Sequence, residues 1–193
     1  VSPDTKLEMR RLHWTLLSIC GKPEDVHVAI EAIDQRMGEE EDKVGFDSAL
    51  SCALVLGGED ALKMIEQRIL AHPDSRYSDI NSAILAIRVH GTEFKQIPRE
   101  RLLESLRLVL DKPEVADLVI PDLARWEDWS QIDKLVELFA LPQEKSQYLR
   151  VPVIQYLQTC PLPEAELAIE KCKAIDPDAV RRAQVIFPRR GRS

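Results

Sequence analysis

A short element recurs along this 193-residue chain: a small or turn residue, then an acid, then a run of apolar residues at helical spacing. It occurs at Pro23-Glu24-Asp25, Gly58-Glu59-Asp60, Gly91-Thr92-Glu93, Trp126-Glu127-Asp128 and Pro163-Glu164-Ala165, and the glutamates follow one another at 35, 34, 34 and 37 residues. A period of that length marks helical pairs that stack one on the next, since a single pair cannot bury its apolar face alone. The expectation is an all-α chain of about five antiparallel helix pairs plus a last helix, one domain over residues 1–187 with a basic tail over 188–193.

Composition agrees. Aromatic residues make up 5% of the chain while Leu, Ile, Ala and Val dominate, the side chains that fill seams between helices, so all-β readings are disfavoured. No apolar run approaches the roughly 20 residues that span a bilayer, and no membrane segment is expected in the visible chain. The chain begins at Val1 rather than Met, and the expectation is a processed or trimmed piece. Localisation stays open, with the cytoplasm favoured over secretion or a membrane anchor.

Periodicity places the helices. Leu7, Leu12, Leu16, Leu17 and Ile19 predict the apolar side of an opening helix that stops at Gly21, and Val26, Ile30, Ile33 and Met37 predict its partner, ended by Gly38. An acidic loop, Glu39 to Asp42, follows. The second pair is expected over Phe46–Leu56 and Glu59–Ala71, joined at Gly57-Gly58. The third starts near Tyr77, with Ile80, Ile84, Ile87 and Val89 apolar, then turns at Gly91 and carries an insertion to Pro98 before Leu102, Leu103, Leu106 and Leu110. The fourth runs over Val115–Trp126 and from about Ser130, where Ser130 and Asp133 have capping-box spacing. The fifth couples Tyr148–Thr159 with Glu164–Ile175, and Ala179–Ile186 closes the chain. Pro121 and Pro152 fall inside helical patterns and are expected to bend them.

The net charge of −7 is uneven. Between Pro23 and Asp60 eleven acids face only Arg36 and Lys43, which leaves that stretch at −9, whereas Arg181, Arg182, Arg189, Arg190 and Arg192 make the far end basic. An acidic body repels phosphate backbones, so nucleic acid is an unlikely partner.

Gly21-Lys22-Pro23-Glu24-Asp25-Val26-His27-Val28-Ala29-Ile30-Glu31-Ala32-Ile33 resembles the link and second helix of a HEAT repeat of the short bacterial type also seen in phycobilin lyases. Gly58-Glu59-Asp60-Ala61-Leu62-Lys63-Met64-Ile65 and Glu164-Ala165-Glu166-Leu167-Ala168-Ile169 are degenerate copies of it. The resemblance implies an α-α superhelix, a curved stack whose second helices line a concave face used to bind proteins.

Catalytic patterns are not found. His13, His27, His72 and His90 lie one to a helix or helix end, never in paired metal spacing, and are read as surface or cap residues. Cys20, Cys52, Cys160 and Cys172 form no Cys-x-x-Cys and are read as buried, reduced core residues, a Cys160–Cys172 disulfide being the less favoured alternative. The chain is therefore expected to be no enzyme and to need no cofactor and no metal. The leading function is a non-catalytic scaffold for an unidentified protein partner. Two alternatives rest on fold analogy alone: a chromophore-attachment factor of the phycobilin-lyase kind, and a DNA glycosylase built from HEAT-like repeats, which the acidic charge disfavours.

The candidate partner-binding residues are the outward positions of the second helices: Glu31 and Gln35; Lys63, Glu66 and Gln67; Arg101, Glu104 and Arg107; Lys134 and Glu137. Glu170 and Lys173 would continue the series. These side chains are expected to line one groove, and reversing their charges is expected to change stability little. Arg125, Trp126 and Trp129 surround one link. Trp and Arg are the residues most enriched at interface hot spots, while the favoured reading makes the indoles plugs between adjacent pairs.

Overall fold

The computed structural model describes residues 7–37, 43–146 and 148–186, and among them every regular element is helical. Five helices, α1 (Leu7–Cys20), α2 (Val26–Arg36), α3 (Phe46–Ile65), α4 (Tyr77–Glu93) and α5 (Arg99–Arg107), precede a second group: α6 (Ile120–Arg125), α7 (Ile132–Phe139), α8 (Gln143–Ser146), α9 (Arg150–Thr159), α10 (Glu164–Ile175) and α11 (Pro177–Ile186). Contacts cluster into two compact units, divided in sequence between Leu108 and Val109. The expected stop at Gly38, the acidic loop Glu39–Asp42 and the basic tail 188–193 lie outside the described residues.

In the first unit α3 is central. Phe46, Ala49, Leu50, Cys52, Ala53 and Leu54 are buried in turn around the helix rather than along one stripe, and such a helix must be covered on several sides. α1, α2 and α4 cover it. The expected join at Gly57-Gly58 is a one-residue break: Gly58 has φ +54° and ψ −134°, a region that only glycine enters without strain. Beyond it the helix passes into a π-helical turn, Glu66–Leu70, closed by the Ala71 N–H donating to the Glu66 carbonyl over 2.8 Å.

Two expectations about helix faces are corrected here. On α1 the buried side chain is Trp14, 1% exposed, with Arg10 one turn before it, whereas Leu12, Leu16 and Ile19 are 45%, 48% and 71% exposed. Two apolar stripes compete on that helix, and the indole, with the larger apolar surface to hide, takes the core side. On α4, Val89 is exposed and His90 is buried. The turn expected at Gly91-Thr92-Glu93 is helical as well, with the break coming at Phe94, whose N–H still donates to the His90 carbonyl over 2.9 Å.

α9 centres the second unit, packed by α6, α7, α10 and α11, while α7 also lies on α10. Pro121 and Pro152 do not bend helix interiors. Each sits in the first turn, of α6 and α9 respectively, where its missing N–H has no intrahelical partner to lose. The Ser130 capping box is likewise replaced: Asp128 is the cap, its Oδ1 accepting from Ser130 Oγ at 2.6 Å and Ser130 N at 3.3 Å.

Candidate functional site

The second-helix positions do not all stay open to solvent. Glu31 and Gln35 are exposed on α2, and Lys63, Gln67 and Glu104 are exposed further along the first unit. Glu66 and Arg101, by contrast, close on each other. Arg101 Nη1 and Nη2 donate to Glu66 Oε1 and Oε2 at 2.5 and 2.8 Å, Ser105 Oγ donates to Oε1 at 2.6 Å, and Ser105 is fully buried. Burial alone would raise the Glu66 carboxyl, but the hydrogen bonds from Arg101 and Ser105 outweigh it and hold its pKa below the ordinary value. Reversal of either charge therefore unmakes a part-buried cluster, which corrects the expectation of a free rim at these two positions. Arg107 is tied to Glu100 at 2.9 Å.

Two of these ion pairs have nearly the same spacing in sequence. Arg68 donates to Asp34, 34 residues earlier, and Arg101 donates to Glu66, 35 residues earlier. Both separations are close to the spacing of the glutamates in the sequence.

In the second unit, the Trp126-Glu127-Asp128-Trp129 link is a junction of backbone bonds. The Asp128 N–H donates to Leu123 O at 2.9 Å and the Glu127 N–H to Ala124 O at 3.2 Å, the crossed pair of a Schellman stop, which puts Glu127 at φ +59°. Tyr156 Oη donates to Asp128 O at 2.5 Å, and the Trp129 ring meets the Tyr156 ring edge-on at 5.1 Å. Trp126 is 8% exposed and belongs to the core, while Arg125 reaches the buried Asp122 carboxylate at 2.6 Å. Lys134 pairs with Asp111 at 2.7 Å, and Glu137 is exposed. Glu170 and Lys173 are exposed on α10, 3.6 Å apart.

The surface that sequence reasoning missed lies on the first helices of the first unit. A groove of about 210 Å³ runs between α1, α3 and α4. Thr15, Ser18, Ser48 and Ser51 supply hydroxyls and Asp47 the one charge of its lining, against an apolar wall of Ile19, Val55, Leu85, Ala86, Val89 and Phe94. Asp47 is held only loosely, 3.6 Å from the exposed Arg11. Leu12 and Leu16 are also exposed on α1. The signal was in the sequence, since α1 carries Trp14 on one side and Leu12, Leu16 and Ile19 on another, and both cannot face the core.

His13 is half-buried, His27 and His72 are exposed, and His90 is 1% exposed, a correction to its reading as a surface residue. All four cysteines are free, Cys52, Cys160 and Cys172 buried and Cys20 exposed on α1, which corrects its placement in the core. Among the described residues no group of three or more His, Cys, Asp or Glu side chains is placed to hold a metal ion. None of the described helices is long and apolar enough to cross a membrane. No family model matches the chain, and neither a curated protein nor a solved structure does.

Proposed function

We propose that this chain is a non-catalytic protein-interaction module of the HEAT-like helical-repeat class, and that its first unit receives an amphipathic segment of a partner protein in the groove between α1, α3 and α4. Helices that pack beyond their chain neighbours, α1 on α3, α6 on α9 and α7 on α10, support the repeat reading. The ion pairs Asp34–Arg68 and Glu66–Arg101, each one period long, support it independently.

The groove carries the functional reading. At about 210 Å³ it falls short of the roughly 300–1,000 Å³ of small-molecule pockets, and it suits one or two apolar side chains of a docked segment. Its charge complement sets the occupant: apolar residues at helical spacing for the Val55, Leu85 and Val89 wall, and a Lys or Arg for Asp47. The chain's net charge of −7 favours the same basic partner over a nucleic acid.

Selection of a displayed peptide library on the whole chain tests this. The expected winners pair two or three apolar residues with a basic one, and lose about tenfold or more in affinity to Val89→Glu or Ile19→Glu. Winners that bind those variants normally but are lost on Lys63→Glu or Glu104→Lys would move the site to the second-helix face.

A further inference from the structure

His90 is a buried titratable group that neither the core nor the groove explains. It is 1% exposed, neither Nδ1 nor Nε2 has a hydrogen-bond partner, and its ring stacks on Phe94 with centroids 5.4 Å apart and planes at 26°. A neutral imidazole always carries one N–H and one lone pair, so the site leaves both unsatisfied; a protonated ring would bury two donors and a full charge. His90 occupies the last turn of α4, and Phe94, which follows that turn in extended conformation, lines the groove. The ring can reach water if that one turn unwinds.

We propose that His90 is an acid-released latch: neutral, it holds Phe94 and the last turn of α4 in place, and protonated, it leaves its pocket and opens that end of the groove. The charged groups on the elements packed against α4 are engaged with one another rather than with His90. On α5, Arg101 is turned to Glu66 and Arg107 to Glu100, and on α3, Asp47 faces Arg11 and Lys63 faces Asp60. Arg99 already approaches the carbonyl of Gly91, the residue after His90, at 3.5 Å, so the helix end that could favour a cation has one. Burial is the sole cause of the lowered pKa of His90, with no carboxylate on α3, α4, α5 or the π-helical turn offsetting it. With the folded pKa below the unfolded value of 6.5, the closed form keeps its full stability above that pH and loses it as the pH falls toward the folded pKa.

Hydrogen exchange of the amides in residues 86–97, corrected for intrinsic rate, reads the latch directly between about pH 7.5 and pH 5. The expected result is a fall of about tenfold or more in protection at the end of α4 for the native chain. His90→Phe, which keeps the stacked ring and cannot titrate, should stay protected throughout. Equal protection at both pH values in the native chain, or the same loss in the variant, overturns the proposal. Should the variant fail to fold, NMR titration of the ring carbons decides: His90 must titrate below the ordinary value of 6.5 and in step with the loss of protection, and titration at or above that value without that loss overturns it. The effect on ligand binding rests on the groove reading, yet the two fail separately. Loss of protection without a change in peptide affinity keeps the latch and removes the groove.

Discussion

Glu66 and Arg101 stand 35 residues apart in sequence, and their side chains meet end to end, two guanidinium nitrogens on two carboxylate oxygens at 2.5 and 2.8 Å. Two parallel charge-assisted bonds fix orientation as well as distance, so the pair sets the register of α5 against the π-helical turn. Asp34 and Arg68, 34 residues apart, pair through one guanidinium nitrogen and lie closer to solvent.

Removing one partner strands the other. Arg101→Gln should destabilise the first unit by roughly 1–3 kcal/mol, since Glu66 loses both guanidinium donors and Ser105 Oγ the one from Arg101 Nη1 in a part-buried site. Arg68→Gln, at an exposed pair, should cost less than about 1 kcal/mol. Urea denaturation of both variants checks the ranking, and equal costs would show that burial does not separate the two pairs.

The same cluster has a pH signature. Because the folded Glu66 pKa is lowered, the unfolded state takes up protons first as the pH drops; the stability is present above about the ordinary value of 4.5 and is lost as the pH falls through the folded pKa. Glu66→Gln should flatten that part of the acid limb, measured by denaturation midpoints across the range. An unchanged acid limb would assign the acid sensitivity elsewhere.

Glu127 sits at φ +59° in the position where a Schellman stop ordinarily has glycine. A side chain in that conformation costs roughly 1–2 kcal/mol, so Glu127→Gly should raise stability despite the greater freedom glycine has when unfolded, a net gain of about 0.5–1 kcal/mol. Glu127→Val should do the opposite. Loss of stability in the glycine variant would mean that the glutamate side chain makes contacts worth more than its strain.

Local chemistry was legible in the sequence, and long-range choice was not. Pro23, Gly58 and Pro163 announce breaks or starts that the structure places at the same residues, because turn and cap preferences act within a few positions. Gly91 misled, since a helix tolerates one glycine when the flanking turns are packed, as Ile87 and His90 are. The α1 face was misjudged because periodicity shows that a stripe exists without saying which of two stripes is covered. The Glu66–Arg101 and Tyr156–Asp128 bonds span 35 and 28 residues, and no local pattern in either segment points to its partner.

The cysteines give a cheap test of side-chain placement. Burial raises the Cys52 thiol, against a weaker lowering by Ser18, and pushes the Cys172 thiol up to about 11, so both resist conversion to the reactive thiolate. Native protein should react with a thiol reagent quickly at Cys20 alone and at all four cysteines only after denaturation. Fast native labelling of Cys160 or Cys172 would contradict the packing of α9 and α10.

The orientation of α1 decides whether the groove exists, and two substitutions separate the possibilities. With Trp14 against the core and Leu16 at the surface, Trp14→Ala should cost about 3–5 kcal/mol by removing a fully buried ring, whereas Leu16→Lys should change stability by less than about 0.5 kcal/mol, since solvent already reaches that side chain. The opposite ranking would rotate α1 about its axis, bury Leu12, Leu16 and Ile19, and take Ile19 away from the groove wall. The expected ranking leaves a covered Trp14 and an uncovered Leu12, Leu16 and Ile19 on one helix. Ile19 then lines the groove with Val55, Leu85 and Val89, and Leu12 and Leu16 stay exposed on the same stripe of α1, apolar surface that folding does not use and that a partner segment can cover. Thermal or urea midpoints of the two variants, measured on the whole chain, settle the orientation before any partner is known.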